Sequence, residues 1–139
     1  MLSHVFLGTD DLARAEAFYA PILSRLGWRP RFSDMAAGKI GWAPGQTPRP
    51  LFLIGRPHDQ APAVPANGGM VALLAPDRPT VDEIHACALR AGGRCEGGPG
   101  LRPHYHAHYY GAYFRDLDGN KLCVCCHDDP GATSAGTPA

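Results

Sequence analysis

Histidine, tyrosine and cysteine crowd into one stretch of the chain, Gly100–His127, which reads GLRPHYHAHYYGAYFRDLDGNKLCVCCH. His104, His106 and His108 recur at every second position, so an extended backbone would put all three on one face. Pro103 and the neighbouring glycines favour a loop instead, which would leave His106 as a lone acid/base with a pKa near neutrality. Tyr109 and Tyr113 share one strand face and Tyr110 takes the other. Cys123, Cys125 and His127 alternate in the same way, either as a thiolate site or as ordinary packing; their spacing is not that of a structural zinc loop. Arg102 is the nearest fixed cation and suits a carboxylate. Asp116-Leu117-Asp118-Gly119-Asn120 reads as a tight turn, with Gly119 supplying a positive φ.

These residues need a scaffold, and the 139 residues suffice for one domain with a core of its own. Lys+Arg and Asp+Glu both number 13. Zero net charge gives no footprint for nucleic acid or an anionic membrane, and it favours self-association into a homodimer. No secretory leader or apolar span is visible, and five cysteines are an odd number. Reduced thiols in a cytoplasmic protein are the expectation.

A repeat underlies the chain. His4–Gly8 reads as a strand, and Leu12, Ala15, Phe18, Tyr19, Ile22 and Leu23 mark one helical face that ends at Gly27. Thr9 or Asp10 is the expected cap. Strands follow at Trp28–Phe32, Lys39–Ala43 and Leu51–Ile54. Arg56–Gly69 is rich in Pro, Ala and Gly and reads as a linker. The pattern then restarts with MVALLA at Met70–Ala75, a capping box Thr80-Val81-Asp82-Glu83, and a helix stopped by Gly92-Gly93. At one constant offset Val5 meets Val71, Leu7 meets Leu73, Asp11 meets Asp77, Phe18 meets Ile84 and Gly27 meets Gly93, with no gap. Gly97-Gly98-Pro99-Gly100 reads as a loop, and two strands, Tyr109–Arg115 and Lys121–Cys126, close the second copy. The expected division is module one at 2–56, a linker at 57–69, module two at 70–127 and a disordered tail at 128–139.

Paired βαβββ units, with the strings HVFLGTDDLARAEAFYAPIL and GGMVALLAPDRPTVDEIHACALRAGG and the segment Gly100–His127, resemble the glyoxalase/bleomycin-resistance/dioxygenase (vicinal oxygen chelate) superfamily. The last segment is similar to bacterial glyoxalase-like, lactoylglutathione-lyase-related proteins. The resemblance implies an α+β fold in which two curved mixed sheets face a central cleft that holds a small organic molecule. It further implies His4, Phe52, Met70, Arg102 and Cys123 as ligand-binding positions, and His106, Tyr105 and Tyr110 as candidate catalytic groups. In metal-dependent members a His–His–Glu set holds a divalent metal. Here His4 matches, whereas Met70 and Cys123 stand at the other two positions and Phe52 at the module-one counterpart of Cys123. A divalent metal therefore has one clear ligand, His4, and no other cofactor is implied. A soft His4–Met70–Cys123 set for Cu(I) is the alternative to a site filled by compact apolar side chains. Three functions follow from the resemblance. One is a lyase, isomerase or dioxygenase with an incomplete metal set. The second is a metal-free binding or sequestration protein of the bleomycin-resistance type, and the third an interaction module with a vestigial pocket.

Overall fold

The computed structural model describes residues 1–131; the expected disordered tail lies largely outside the described residues. Module one runs β1 (His4–Gly8), α1 (Leu12–Arg25), β2 (Trp28–Asp34), β3 (Lys39–Pro44) and β4 (Leu51–Gly55). Module two runs β5 (Val71–Leu74), α2 (Arg78–Arg90), β6 (Arg94–Leu101), β7 (Tyr110–Arg115) and β8 (Lys121–Cys126). Each forms a four-stranded mixed sheet, ordered β1-β4-β3-β2 and β5-β8-β7-β6, with the first strand parallel to the last. This is the two-module βαβββ fold expected from the sequence. No helix among the described residues is long and apolar enough to cross a membrane.

The repeat extends to the caps. Asp11 and Asp77, paired by the constant offset, are the two helix N-caps, accepting from the backbone N–H of Arg14 (3.0 Å) and Thr80 (2.8 Å). The expected caps Thr9, Asp10 and Thr80 are thus corrected. An Asp carboxylate reaches the third N–H of the first turn, and Pro79 needs no donor so early in the helix. Gly27 ends α1 at φ 84° and Gly92 ends α2 at φ 99°, a backbone region open mainly to glycine.

Alternation gives each sheet two faces. On the helix side of module one, Ile40, Trp42, Phe52 and Ile54 are buried among Phe18, Tyr19, Ile22 and Leu23 of α1. On the helix side of module two, Phe114, Leu122, Val124 and Cys126 pack with Val81, Ile84 and Ala88 of α2. The helices touch each other, and Phe18 of α1 approaches Phe114 of β7 with ring centroids 6.3 Å apart, so the modules share one core. The other side of each sheet, here the cleft face, is more open: Phe6 and Leu74 keep 45% and 68% of their surface exposed.

Two sequence expectations change. The glycine run 97–100 lies inside β6, an edge strand whose register against β7 shifts between Cys95 and Gly97 and again between Gly97 and Gly100. An edge position tolerates Pro99, whose missing N–H interrupts no central ladder. Phe52 is fully buried against Tyr19 (5.2 Å) and Trp42 (6.3 Å), on the helix side rather than in the cleft. Its partner in β1 is Val5, just as the partner of Leu122 in β5 is Val71. Leu122 is therefore its counterpart, and Leu53 is the counterpart of Cys123. A slip of one residue moves every side chain to the other face.

The DLDGN turn joins the modules. Asp116 is buried and accepts from the Tyr19 hydroxyl of α1, from the backbone N–H groups of Asp118 and Asn120 (both 2.9 Å), and from Asn120 Nδ2 (2.9 Å). Asp118 accepts from the Thr9 hydroxyl (2.6 Å) and the Asp10 N–H (3.0 Å), and Asn120 Nδ2 also donates to Gly8 O (2.9 Å). Burial and the Asp116 carboxylate hold the Tyr19 phenol well above its ordinary pKa.

Candidate functional site

Strand β8 presents alternate residues to the two sides of its sheet. Leu122, Val124 and Cys126 go to the core, and Cys123 and Cys125 go to the cleft face. Opposite them on β7 stand Tyr113 and Gly111, and on β5 Ala72 and Leu74. Gly111 has a steric reason to be glycine. A Cβ there would meet Tyr109 Cε1 at 2.8 Å, so the missing side chain lets the Tyr109 ring lie on the sheet beside Cys125. From there the Tyr109 hydroxyl reaches Tyr113 Oη (3.1 Å) and Cys123 Sγ (3.3 Å).

The loop between β6 and β7 supplies one imidazole, His106, and the residue after β8 supplies another, His127. His106 Nε2 lies 2.8 Å from His127 Nδ1, with the rings stacked at 5.1 Å, and His127 Nε2 lies 3.7 Å from Cys125 Sγ. Tyr109 packs edge-on against both rings, at 5.7 and 5.3 Å. The result is two short polar runs on one sheet face, Tyr113–Tyr109–Cys123 and Cys125–His127–His106.

The two thiols differ in ionisation. The neighbouring Cys123 thiol, then Tyr109 and His127, lowers Cys125 to about 6, while Cys123 is pushed up by Cys125 and by burial. Burial, then the bond to Cys123, raises Tyr109, and burial raises Tyr113. The chain thus favours one thiolate, on Cys125, surrounded by protonated donors.

Of the sequence-derived candidates, His106 and Cys123 belong to this cluster. Tyr105 stands at its rim, 61% exposed, with its ring 4.9 Å from Tyr109. Arg102 lies over the Tyr113 ring (5.5 Å) and donates to Gly98 O (2.8 Å), so it caps the same face from the β6 edge. Tyr110 does not join them. Its strand neighbour is Cys126 on the helix side, its hydroxyl donates to Asp82 on α2 (2.6 Å), and Arg78 covers its ring (5.2 Å). Tyr110 is thereby corrected from catalytic candidate to packing residue, as Phe52 is from ligand contact to core. His104 and His108 do not converge with His106: one stacks on Tyr105 (4.2 Å) and the other faces Asp129 (3.9 Å). Tyr109, Cys125 and His127 complete the cluster although they were not among the expected site residues; their alternation was the available signal, and core packing was the preferred reading of it.

On module one, His4 is exposed at the start of β1, with Ser3 Oγ 3.0 Å from its Nδ1. Its neighbour across the ladder is Leu51. Met70 precedes β5 and is 46% exposed. A divalent metal at the implied positions would meet one imidazole, a thioether, a leucine face and a Cys123 thiol held in its protonated form. That donor set does not fit a hard cation. Among the described residues, no group of three or more His, Cys, Asp or Glu is placed to hold a metal. A cavity of about 710 Å³ opens beside Phe6, Gly8, Lys39 and Arg56, between the cleft face of module one and linker residues 57–64. The chemically active groups and this cavity thus belong to different modules.

Comparison with known proteins bears on this arrangement. The sequence profile of the Glyoxalase/Bleomycin resistance protein/Dioxygenase superfamily matches residues 1–124. Among solved structures, a glyoxalase/bleomycin resistance protein from Albidiferax ferrireducens T118 is 32% identical, with a TM-score of 0.80 over 92% of this chain and 99% of that one. A lactoylglutathione lyase from Agrobacterium tumefaciens shares the fold at 23% identity and a TM-score of 0.62, over 91% and 92% of the two chains. A glyoxalase-related enzyme from Fulvimarina pelagi does so at 20% and 0.68, over 91% and 87%. No curated protein matches. The chain belongs to the glyoxalase/bleomycin resistance protein/dioxygenase superfamily.

Proposed function

We propose that this chain binds a small organic molecule in its cleft without a divalent metal, as a binding or sequestration protein. One observation carries the reading. The cleft position at the centre of the last strand is Cys123, a fully buried thiol held protonated, and its counterpart in module one is Leu53. Neither offers the carboxylate that a hard cation requires. What the faces do offer is aromatic and apolar surface with a few polar groups, which is the composition of a small-molecule site. The 710 Å³ cavity on module one is of the size that such ligands fill. The metal-dependent lyase, isomerase and dioxygenase chemistries have no complete ligand set here. A second copy of the chain completes the proposal: Phe6, Met70 and Leu74 are exposed on or beside the cleft faces, and the net charge is zero.

Metal analysis of tag-free protein, paired with a thermal-shift screen of small organic molecules, tests this reading. The expected result is a substoichiometric metal content together with ligands that raise the melting temperature. One equivalent of a divalent metal, lost in His4→Ala, would overturn it.

A further inference from the structure

The hydrogen bonds around His106 fix the direction of the proton chain. His106 Nδ1 accepts from the backbone N–H of His108 at 3.2 Å. A neutral His106 therefore carries its proton on Nε2, and that proton points at His127 Nδ1, 2.8 Å away. His127 in turn must carry its proton on Nε2, which faces Cys125 Sγ at 3.7 Å. Cys123, two residues back on the same face, is engaged by the Tyr109 hydroxyl instead, so His127 is the polar partner of Cys125 Sγ. A nucleophile with an imidazole beside it, oriented by a third group, is the arrangement by which thiols are activated, whatever the fold.

We infer that Cys125 is a nucleophile, served by His127 and oriented by His106, that adds covalently to small uncharged α,β-unsaturated carbonyl compounds. The electrophile class follows from the surroundings. Thiolate sulfur is soft and polarisable, which matches a conjugated carbon. Gly111 and Leu74 flank Cys125 on the sheet, and Tyr109 lies beside it, so the immediate approach is apolar, and the cations of this face, Arg102 and Lys121, sit over the Tyr113 ring instead. Cys125 itself is only 4% exposed, so entry requires the Tyr109 ring to lift from Gly111.

The step balances without a metal or an oxidant. A lone pair of the Cys125 thiolate forms the S–C bond at the β-carbon, and the C=C π pair moves to the α-carbon as an enolate. That carbon takes the His127 Nε2 proton. His106 passes its Nε2 proton to His127 Nδ1; water then reprotonates Nε2 of the exposed His127 and the Nδ1 proton returns to His106 Nε2. The product is a thioether, with the carbonyl restored and hydroxide left in solution.

The inference rests on the small-molecule reading above only in that the cleft admits an organic compound, and the two can fail separately. Intact protein is treated with a limiting amount of cyclohexenone and adducts are mapped by peptide mass spectrometry. The expected result is a Cys125 adduct forming before any on exposed Cys95 or half-buried Cys87. His127→Ala should slow it by about 100-fold, the usual worth of a positioned proton donor. Where His127→Ala fails to fold, His106→Ala in the exposed loop replaces it, with a slowing of roughly 10-fold. Adducts on Cys95 first, or a Cys125 rate indifferent to both histidine substitutions, would overturn the inference. Binding of saturated cyclohexanone with Cys125 left unmodified by cyclohexenone also overturns it while sparing the binding reading. Fast, histidine-dependent modification with no measurable binding of saturated compounds supports it and counts against that reading.

Discussion

The two cleft faces are built on one plan and furnished differently. Both lie on a four-stranded mixed sheet with its first strand parallel to its last, and both are backed by a helix capped by an aspartate at the same place in the repeat. At the centre of the module-one face Leu53 stands opposite Gly41, where Phe32 fills the space a side chain would take. At the matching place in module two Cys123 stands opposite Tyr113, and the space over Gly111 is filled by Tyr109. Module one thus offers apolar surface and a cavity, and module two offers phenols, thiols and imidazoles. Duplicating a sheet reproduces its register but not the side chains on its cleft face, because those few positions lie outside the shared helix-side core.

The largest effect that bears on this comparison concerns register. Phe52→Ala should cost about 3–5 kcal/mol in urea unfolding, as a buried aromatic does, while Leu53→Ala on the cleft face should cost less than about 1 kcal/mol. The reverse ranking would break the pairing of Phe52 with Leu122 and of Leu53 with Cys123. Next comes the junction between modules. Asp116→Ala leaves buried donors without an acceptor and should cost about 3 kcal/mol. Tyr19 shares that bond, and its folded pKa lies above the unfolded value of 10.0. Its contribution is therefore fully present below pH 10.0 and lost as the pH rises through the higher folded value. An alkaline unfolding midpoint that does not respond to Tyr19→Phe would contradict this.

Smaller effects probe the cleft directly. Gly111→Ala places a methyl against Tyr109 Cε1 and should lift that ring, exposing Cys123 and Cys125 and raising their alkylation rates about 10-fold. Unchanged rates would show that Tyr109 does not cover them. Leu74→Glu places a charge on the most exposed apolar residue of the module-two cleft face and should shift a dimer toward monomer by about 10-fold in dissociation constant. Light scattering that shows the same mass for both proteins would remove the second copy from the account.

Much of the fold was legible because it depends on local pattern. The constant offset that paired Asp11 with Asp77 also paired Phe18 with Ile84, and both pairs turn out to be equivalent in the structure. Register was not legible: PLFLI and KLCVC align by eye with Phe52 on Cys123, and only the ladders to Val5 and Val71 show the slip. The site was legible in part. Alternation placed Cys123, Cys125 and His127 on one face, but choosing between a thiol site and packing required knowing that a loop residue 21 positions away, His106, lies against His127. Tyr109 and Tyr110 are adjacent and chemically identical. Only the strand's pleat decides that one faces the thiols and the other Asp82.

The central claim is that the cleft face of module two holds a protonated thiol, Cys123, where a metal-dependent site would hold a carboxylate, and a thiolate two residues on, at Cys125. Ultraviolet thiolate absorbance, followed against pH in the native protein, tests it most directly. One equivalent should appear with a midpoint at about 6 and vanish in Cys125→Ser. Because the folded pKa is depressed, that thiolate persists as the pH rises and is lost only as the pH falls through the midpoint. No thiolate absorbance until the ordinary thiol range near 9.0, or a low-pH thiolate that survives Cys125→Ser, would contradict it.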